Sequence, residues 1–157
     1  MATASPITTL AEEFALLDSL VELLKQEQQM LVSADTDALS ELTPRKDQAI
    51  AQLAALSKQR HQHLGDAGFA AREAGMEAWL DSCKDAAASA AWQQVLDRTR
   101  VAKELNRVNG MLITKHLTHN QSLINAMRTP AGGADAGVYG PSGQSAPSGP
   151  SRRFVIG

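Results

Sequence analysis

The sequence is poor in cysteine, which cross-links small secreted domains, and in aromatic residues, which favour β-sheets. It contains a single cysteine among 157 residues, so no internal disulfide can form. Only 4% of the residues are aromatic although 43% are hydrophobic, which leaves Ala, Leu, Val, Ile and Met as most of the apolar content. These residues favour helices and fill the seams between them. The composition therefore argues against a sheet.

Strong charge and long apolar runs are also missing. The formal net charge is -2 and no face-sized basic cluster appears, so neither nucleic acid nor an anionic membrane is an expected partner. No stretch approaches the roughly 20 uninterrupted apolar residues that a membrane span needs. Residues 1–6 lack the basic start and apolar core of a secretory signal. We expect a soluble, cytoplasmic protein without membrane insertion.

The four histidines do not form a metal-binding pattern. His61 and His63 are two residues apart and would point to nearly opposite sides of a helix. His116 and His119 are three residues apart and could meet, but no third ligand lies at a matching step. We expect no metal site.

A nucleophile and a nucleotide site are equally unsupported. Cys83 lies on the apolar face of a predicted short helix, 76–84, beside Trp79 and Leu80, which favours a buried structural thiol. The glycines of residues 65–75 break the helical pattern but lack the strand-to-helix context and the lysine of a phosphate-binding loop. We expect neither catalysis nor a cofactor.

Two long amphipathic helices open the chain. Thr9 followed by Glu12 is a capping-box pattern, which predicts that the first helix begins there. The acidic turn at residues 33–37 predicts that a second helix folds back on the first. Pro44 predicts a kink or a restart near Thr43. The apolar stripe of the first helix, at alternating spacings of four and three, is Leu10, Phe14, Leu17, Val21, Leu24 and Leu31. Leu16, Leu20, Leu23 and Met30 widen it beyond a two-helix seam.

A third long helix is predicted over residues 89–127, and it has two apolar faces. After residue 128 the composition changes to Gly, Pro, Ser and Ala, which cannot bury enough apolar surface to order itself. The prediction is an all-α fold: an antiparallel helical hairpin plus a long third helix in a coiled-coil-like bundle, with a flexible C-terminal tail. The expected domains are a helical one at 1–128 and the tail at 129–157.

The asparagines of the third helix allow two interpretations. Asn106 and Asn109 are poor core residues unless they are hydrogen-bonded. They could set the register between helices, or they could form a polar notch in a binding face. The sequence does not decide between the two.

The order of these features resembles the FlgN family of flagellar export chaperones. The hairpin carries part of the resemblance, and the segment Leu105, Asn106, Val108, Asn109, Gly110, Leu112 and Ile113 is similar to the family's Leu-Asn-x-x-Asn-Gly-x-Leu-Ile. Tyr139, Gly140, Pro141, Gly143 and Gln144 are similar to its Tyr-Gly-x-x-Gly-Gln element. The hairpin positions that match are Leu24, Glu27, Leu31, Asp35, Asp37, Leu39, Leu42, Lys46, Leu53, Leu56 and Arg60.

The resemblance implies a cytoplasmic type III secretion chaperone. It would bind the C-terminal helical segments of the hook-associated proteins FlgK and FlgL, prevent their premature polymerisation, and deliver them to the export gate or ATPase complex. An amphipathic helix offers apolar anchors to such a partner helix. The candidate substrate-facing residues are Val101, Leu105, Val108, Leu112 and Leu117, with Tyr139 as the tail's anchor for the gate. Plain core packing is the alternative for the first five residues.

A different class of function is a structural coiled-coil oligomer or scaffold without secretion cargo. It would self-associate through the stripe from Leu10 to Leu31 and would not need the tail. A four-helix-bundle enzyme would need inward Glu-x-x-His pairs, and the sequence has none.

Overall fold

Four α-helices make up most of residues 4–128, the part of the chain that this computed structural model describes. A 3₁₀ turn at Pro6–Thr9 leads into α1 (Leu10–Ser33), which is followed by α2 (Thr36–Asp66), α3 (Ala74–Cys83) and α4 (Ala86–Arg128). No strand is present between residues 4 and 128, and the predicted all-α fold is confirmed.

The chain divides into two units of internal contact, Met1–Ile113 and Thr114–Gly157. Residues 114–128 of the second unit belong to α4. The predicted tail, 129–157, lies outside the described residues, and the domain division at residue 128 stays a prediction.

The first two helices form the predicted hairpin. α1 ends where Ala34 takes a left-handed conformation with φ of 55°, and the carboxylate of Asp35 then caps α2 by accepting from the Ala38 N–H at 3.1 Å. Pairing along the hairpin joins early α1 to late α2: Glu13 binds Arg60, while Glu27 binds Lys46. The two helices are therefore antiparallel.

Two local predictions differ from the structure in part: α1 begins directly after Thr9 as predicted but without the predicted cap, and α2 does not show the restart that was one of the two predictions for Pro44. Thr9 does not cap α1 with its side chain; its hydroxyl donates instead to the Glu13 carboxylate, at 2.7 Å. Pro44 lies inside α2, which does not restart at Thr43. Proline removes one helical N–H, and α2 stays helical because Leu42 and Ala49, on either side of it, are buried in the core.

The core of the first unit consists of two hydrophobic clusters. We call them the Trp92 cluster and the Val21 cluster, and Leu53 packs against both. α1, α2 and α4 contribute to each cluster, and α3 adds Met76 and Leu80 to the first. The buried members of the Trp92 cluster are Leu10, Leu17, Leu64, Met76, Leu80, Ala88, Trp92 and Val95. Those of the Val21 cluster are Leu20, Val21, Leu23, Leu24, Leu42, Ala49 and Ala102.

This packing uses the α1 stripe inside the chain. Leu10, Leu17, Val21, Leu24 and Leu31 are all buried, as are Leu20 and Leu23, which widen the stripe. The widening is explained because α1 meets both α2 and α4. The stripe is therefore not available for the self-association that the scaffold alternative requires.

Gly75 marks the tightest backbone approach around α3. It is buried in the first turn of that helix, and a Cβ added to it would lie 2.0 Å from the carbonyl oxygen of Ala70. Gly110, within α4, has open space around the corresponding position. The two glycines therefore differ in what a methyl group would meet.

We predict that Gly75→Ala destabilises the protein by about 1–3 kcal/mol, because the backbone of the α2–α3 connection must move. Gly110→Ala is the matched control and should stabilise the protein by about 1 kcal/mol, the difference in helix propensity. Urea unfolding followed by circular dichroism measures both. Equal shifts of the two midpoints would contradict the packing at Gly75.

Candidate functional site

The five sequence-predicted contact residues of α4 differ in exposure. Val101 is 41% exposed, whereas Leu105, Val108 and Leu112 are half-buried. Leu105 also packs against the Val21 cluster, so core packing accounts for part of its role. Leu117, in the second unit, is 64% exposed. Val101 and Leu117 are thus the freest of the five, and Tyr139 lies outside the described residues.

Val101 borders a shallow apolar surface between α1 and α4. A cavity of about 290 Å³ beside it is lined by Phe14, Gln94 and Arg98, among others. A second, of about 400 Å³, shares Phe14 and Gln94 and extends along Ala91 towards Ile7. We call this surface the α1–α4 flank. Its lining is largely alanine and other apolar side chains, which suits contact with an apolar helix face.

Arg98 crosses the α1–α4 flank. Its guanidinium forms an ion pair with Asp18 at 2.7 Å and lies 6.0 Å from the centre of the Phe14 ring. Both charged side chains are partly exposed, so the pair contributes little to stability. It places a polar bridge between apolar stretches of the flank.

The largest charged cluster among residues 4–113 surrounds Arg60, which the sequence indicated only as a hairpin position, without a partner. Arg60 is only 3% exposed in its side chain. Its Nε and Nη2 donate to Glu13 at 3.0 and 3.3 Å, and Nη2 also donates to Glu73 at 2.8 Å. The guanidinium lies 4.5 Å from the centre of the Trp92 ring. Four segments of the chain therefore meet at one buried cation.

The α2–α3 connection is held to this cluster through Glu73. Glu73 Oε1 also lies 3.0 Å from Nε2 of His61. Burial by itself raises the pKa of the Glu73 carboxyl, but the hydrogen bonds and charges of Arg60 and His61 outweigh that effect and lower it below its ordinary value of 4.5. Glu73 is therefore anionic at neutral pH, the state in which it pairs with the Arg60 guanidinium.

A second polar cluster decides between the two interpretations of the asparagines. Asn109 is 1% exposed, and its amide donates to the Leu24 carbonyl and to Glu27 Oε1, both at 2.9 Å. Glu27 also accepts from Lys46, which ties α1, α2 and α4 together. Asn106 is exposed. Asn109 is thus a register-setting core residue, and it is not part of a surface notch.

Among residues 4–128, no group of three His, Cys, Asp or Glu side chains is arranged to hold a metal ion. Within the same range, no helix is both long and apolar enough to cross a membrane.

The expectation that Cys83 is buried was wrong, since its side chain is exposed. α3 ends at Cys83, and Lys84 takes a left-handed conformation with φ of 49°. The last residue of α3 that is buried in the core is Leu80, about one turn before Cys83.

The comparison with protein families matches this chain over residues 1–147 to the family described as "FlgN protein". The chain belongs to the FlgN family. It is 27% identical over 140 residues to the Flagella synthesis protein FlgN of Yersinia enterocolitica, a match that covers 88% of this chain and 87% of the relative. It is 26% identical over 139 residues to the protein of the same name in Proteus mirabilis, with 87% of each chain covered. No solved structure matches the chain.

Several residues behind the FlgN resemblance have structural roles in this family member. Glu27, Lys46 and Asn109 form one buried polar cluster, and Arg60 is the centre of the other. The partner of Arg60 on α1, Glu13, was missed by sequence reasoning. In the sequence, Glu13 is only a glutamate next to the apolar residue Phe14. Its role as a buried partner becomes clear only when the position of the facing helix is known.

We predict that Arg60→Met destabilises this FlgN protein by about 3–5 kcal/mol, because the buried Glu13 carboxylate loses its cation. The double variant Glu13→Gln, Arg60→Met should recover a large part of the loss. Arg100→Met breaks the exposed pair with Asp97 and should change stability by less than about 1 kcal/mol. Urea midpoints compare these three variants and the single variant Glu13→Gln, which completes the double-mutant cycle. Full additivity of the two cluster substitutions would contradict the buried pair.

Asn109→Ala should destabilise the fold by about 1–3 kcal/mol, because Glu27 loses a buried hydrogen-bond donor. Asn106→Ala makes the same chemical change three residues away on an exposed position and should stay within about 0.5 kcal/mol. Thermal unfolding distinguishes them. If both variants shift the midpoint equally, Asn109 does not set the register.

Proposed function

We propose that this protein is a non-catalytic, cytoplasmic chaperone of flagellar export that binds the C-terminal helical segments of hook-associated proteins, FlgK and FlgL. Membership of the FlgN family supports a flagellar role, as do the relatives named Flagella synthesis protein. The helical segments would be kept from premature polymerisation until delivery to the export gate or ATPase complex. Tyr139 is proposed as the contact for that delivery.

The observation that carries the proposal is the distribution of exposed apolar side chains. Among residues 4–128, seven of the ten large hydrophobic side chains that are exposed belong to α4. Scattered apolar exposure is ordinary, but concentration on one helix is typical of an interaction surface. The seven are Val101, Met111, Ile113, Leu117, Leu123, Ile124 and Met127.

Within each unit, apolar residues recur at helical spacing on α4. Val101, Leu105, Val108 and Leu112 follow steps of four, three and four in the first unit. Leu117, Ile124 and Met127 follow steps of seven and three in the second. Such spacing presents one stripe to an amphipathic partner helix. We propose the first group, together with Leu117, as cargo contacts.

The burial of each residue on α4 decides which positions can be substituted to test cargo binding. Leu105 packs against the Val21 cluster, so an aspartate there would disturb the fold as well as the surface. Val101 and Leu117 are exposed and tolerate polar replacement better. Val32, which is 70% exposed on α1, and Ile50, exposed on α2, offer controls of the same chemistry away from α4.

We predict that Val101→Asp with Leu117→Asp weakens binding of purified FlgK or FlgL by about tenfold or more, because two apolar contacts are replaced by charges that must be desolvated. Val32→Asp with Ile50→Asp should bind like the wild type. Isothermal titration calorimetry measures the affinities, and circular dichroism checks that all chains are folded. Failure of the wild-type protein to bind either subunit would refute the proposed function.

A further inference from the structure

The side of α4 away from Val101 borders another cavity. It lies between α2 and α4, has α1 as its floor, and encloses about 540 Å³. We call it the α2–α4 groove. Its apolar lining includes Leu17 from α1, Leu53 and Ala54 from α2, and Val95 and Leu96 from α4. All of these residues lie in the first unit.

The dimensions of the groove suit a short helix. Its lining residues extend from Leu53 to Arg60 on α2 and from Trp92 to Lys103 on α4. At about 1.5 Å per residue these spans are roughly 10 and 16 Å, or two to three helical turns. A partner helix lying between α2 and α4 would cover the apolar floor and complete a four-helix arrangement.

Arg60 places a buried hydrogen-bond donor at one end of the groove. It lines the groove, and its Nη1 is buried without an acceptor among residues 4–128. A buried donor that lacks a partner is unfavourable, so an oxygen atom that comes within hydrogen-bond distance of Nη1 would be stabilising. Glu13 and Glu73 already oppose the single charge of Arg60. A third carboxylate would be repelled, and a neutral amide or hydroxyl oxygen fits best.

Lys103 places an exposed positive charge at the other end of the groove. It is exposed and forms no ion pair with any residue between 4 and 128. An ammonium group at the rim favours a carboxylate on the partner. The groove therefore presents two donors on either side of an apolar centre: Arg60 of α2, which lies against Trp92, and Lys103, 11 residues after Trp92 on α4.

We infer that the α2–α4 groove binds an amphipathic helical segment of the exported cargo. The segment carries an apolar stripe, with an Asn, Gln, Ser or Thr near Arg60 and an Asp or Glu near Lys103. This inference rests on the proposed function for the source of the helix, and it adds a second contact region on the opposite side of α4 from the α1–α4 flank. The cargo then contacts α4 from two sides.

Photocross-linking locates the cargo helix. The photoreactive residue p-benzoylphenylalanine is placed at Ala54 in the α2–α4 groove, at Gln94 on the α1–α4 flank, or at Ala55, which does not line the groove. Each full-length chain is mixed with purified FlgK and irradiated. We expect cross-links from positions 54 and 94 to different segments of FlgK, and little from position 55.

Affinity measurements with matched variants complete the test. Ala54→Trp fills the groove and should weaken FlgK binding by about tenfold, whereas Ala55→Trp should not. Lys103→Glu should weaken binding several-fold and more at low salt, whereas Lys58→Glu, the same charge change outside the groove, should have little effect. Circular dichroism confirms that each variant is folded.

The outcomes separate the inference from the proposed function. Cross-links from position 54 together with weaker binding of Ala54→Trp support the groove. Normal binding of both groove variants, with cross-links only from position 94, would overturn the inference and leave the proposed function intact. A wild-type chain that binds neither FlgK nor FlgL would overturn both.

Discussion

The buried guanidinium of Arg60 is the constraint on which the arrangement of the first unit depends. A cation can be buried only if anions and hydrogen-bond acceptors accompany it. Glu13 from α1 and Glu73 from the α2–α3 connection meet this need, and Trp92 of α4 covers the guanidinium face. Sliding any of these segments by one turn would separate the charges. The pairing therefore selects one arrangement among those that hydrophobic burial alone would allow.

Glu27, Lys46 and Asn109 impose the same kind of restriction further along the helices. Asn109 donates to α1 at Leu24 and Glu27, whereas Arg98, eleven residues earlier on α4, pairs with Asp18, nine residues before Glu27. α4 therefore runs parallel to α1. Two polar clusters at separate heights fix both direction and rotation, and this rotation decides which apolar residues of α4 are covered.

The sequence was sufficient for features that depend on local pattern. The hairpin turn was predictable because Asp35 is a strong cap, and the burial of Leu17, Val21 and Leu24 because their spacing follows one helix face. Features that need a facing helix were not predictable. Arg60 and Lys46 could be placed among the hairpin positions, but their partners lie 47 and 19 residues away in sequence. Cys83 was misjudged because the end of α3 decides its exposure.

In the candidate site, too, the local sequence pattern predicts the helix, but the packing of the neighbouring helices decides which of its residues are exposed. The segment from Leu105 to Ile113 carried the family resemblance, yet Leu105 and Asn109 within it face the Val21 cluster and α1. Packing explains the similarity at Asn109 and part of the similarity at Leu105. Residues that bind a partner must remain accessible after the chain has folded. The informative positions on α4 are therefore those that the core leaves uncovered, and two buried polar clusters determine which ones they are.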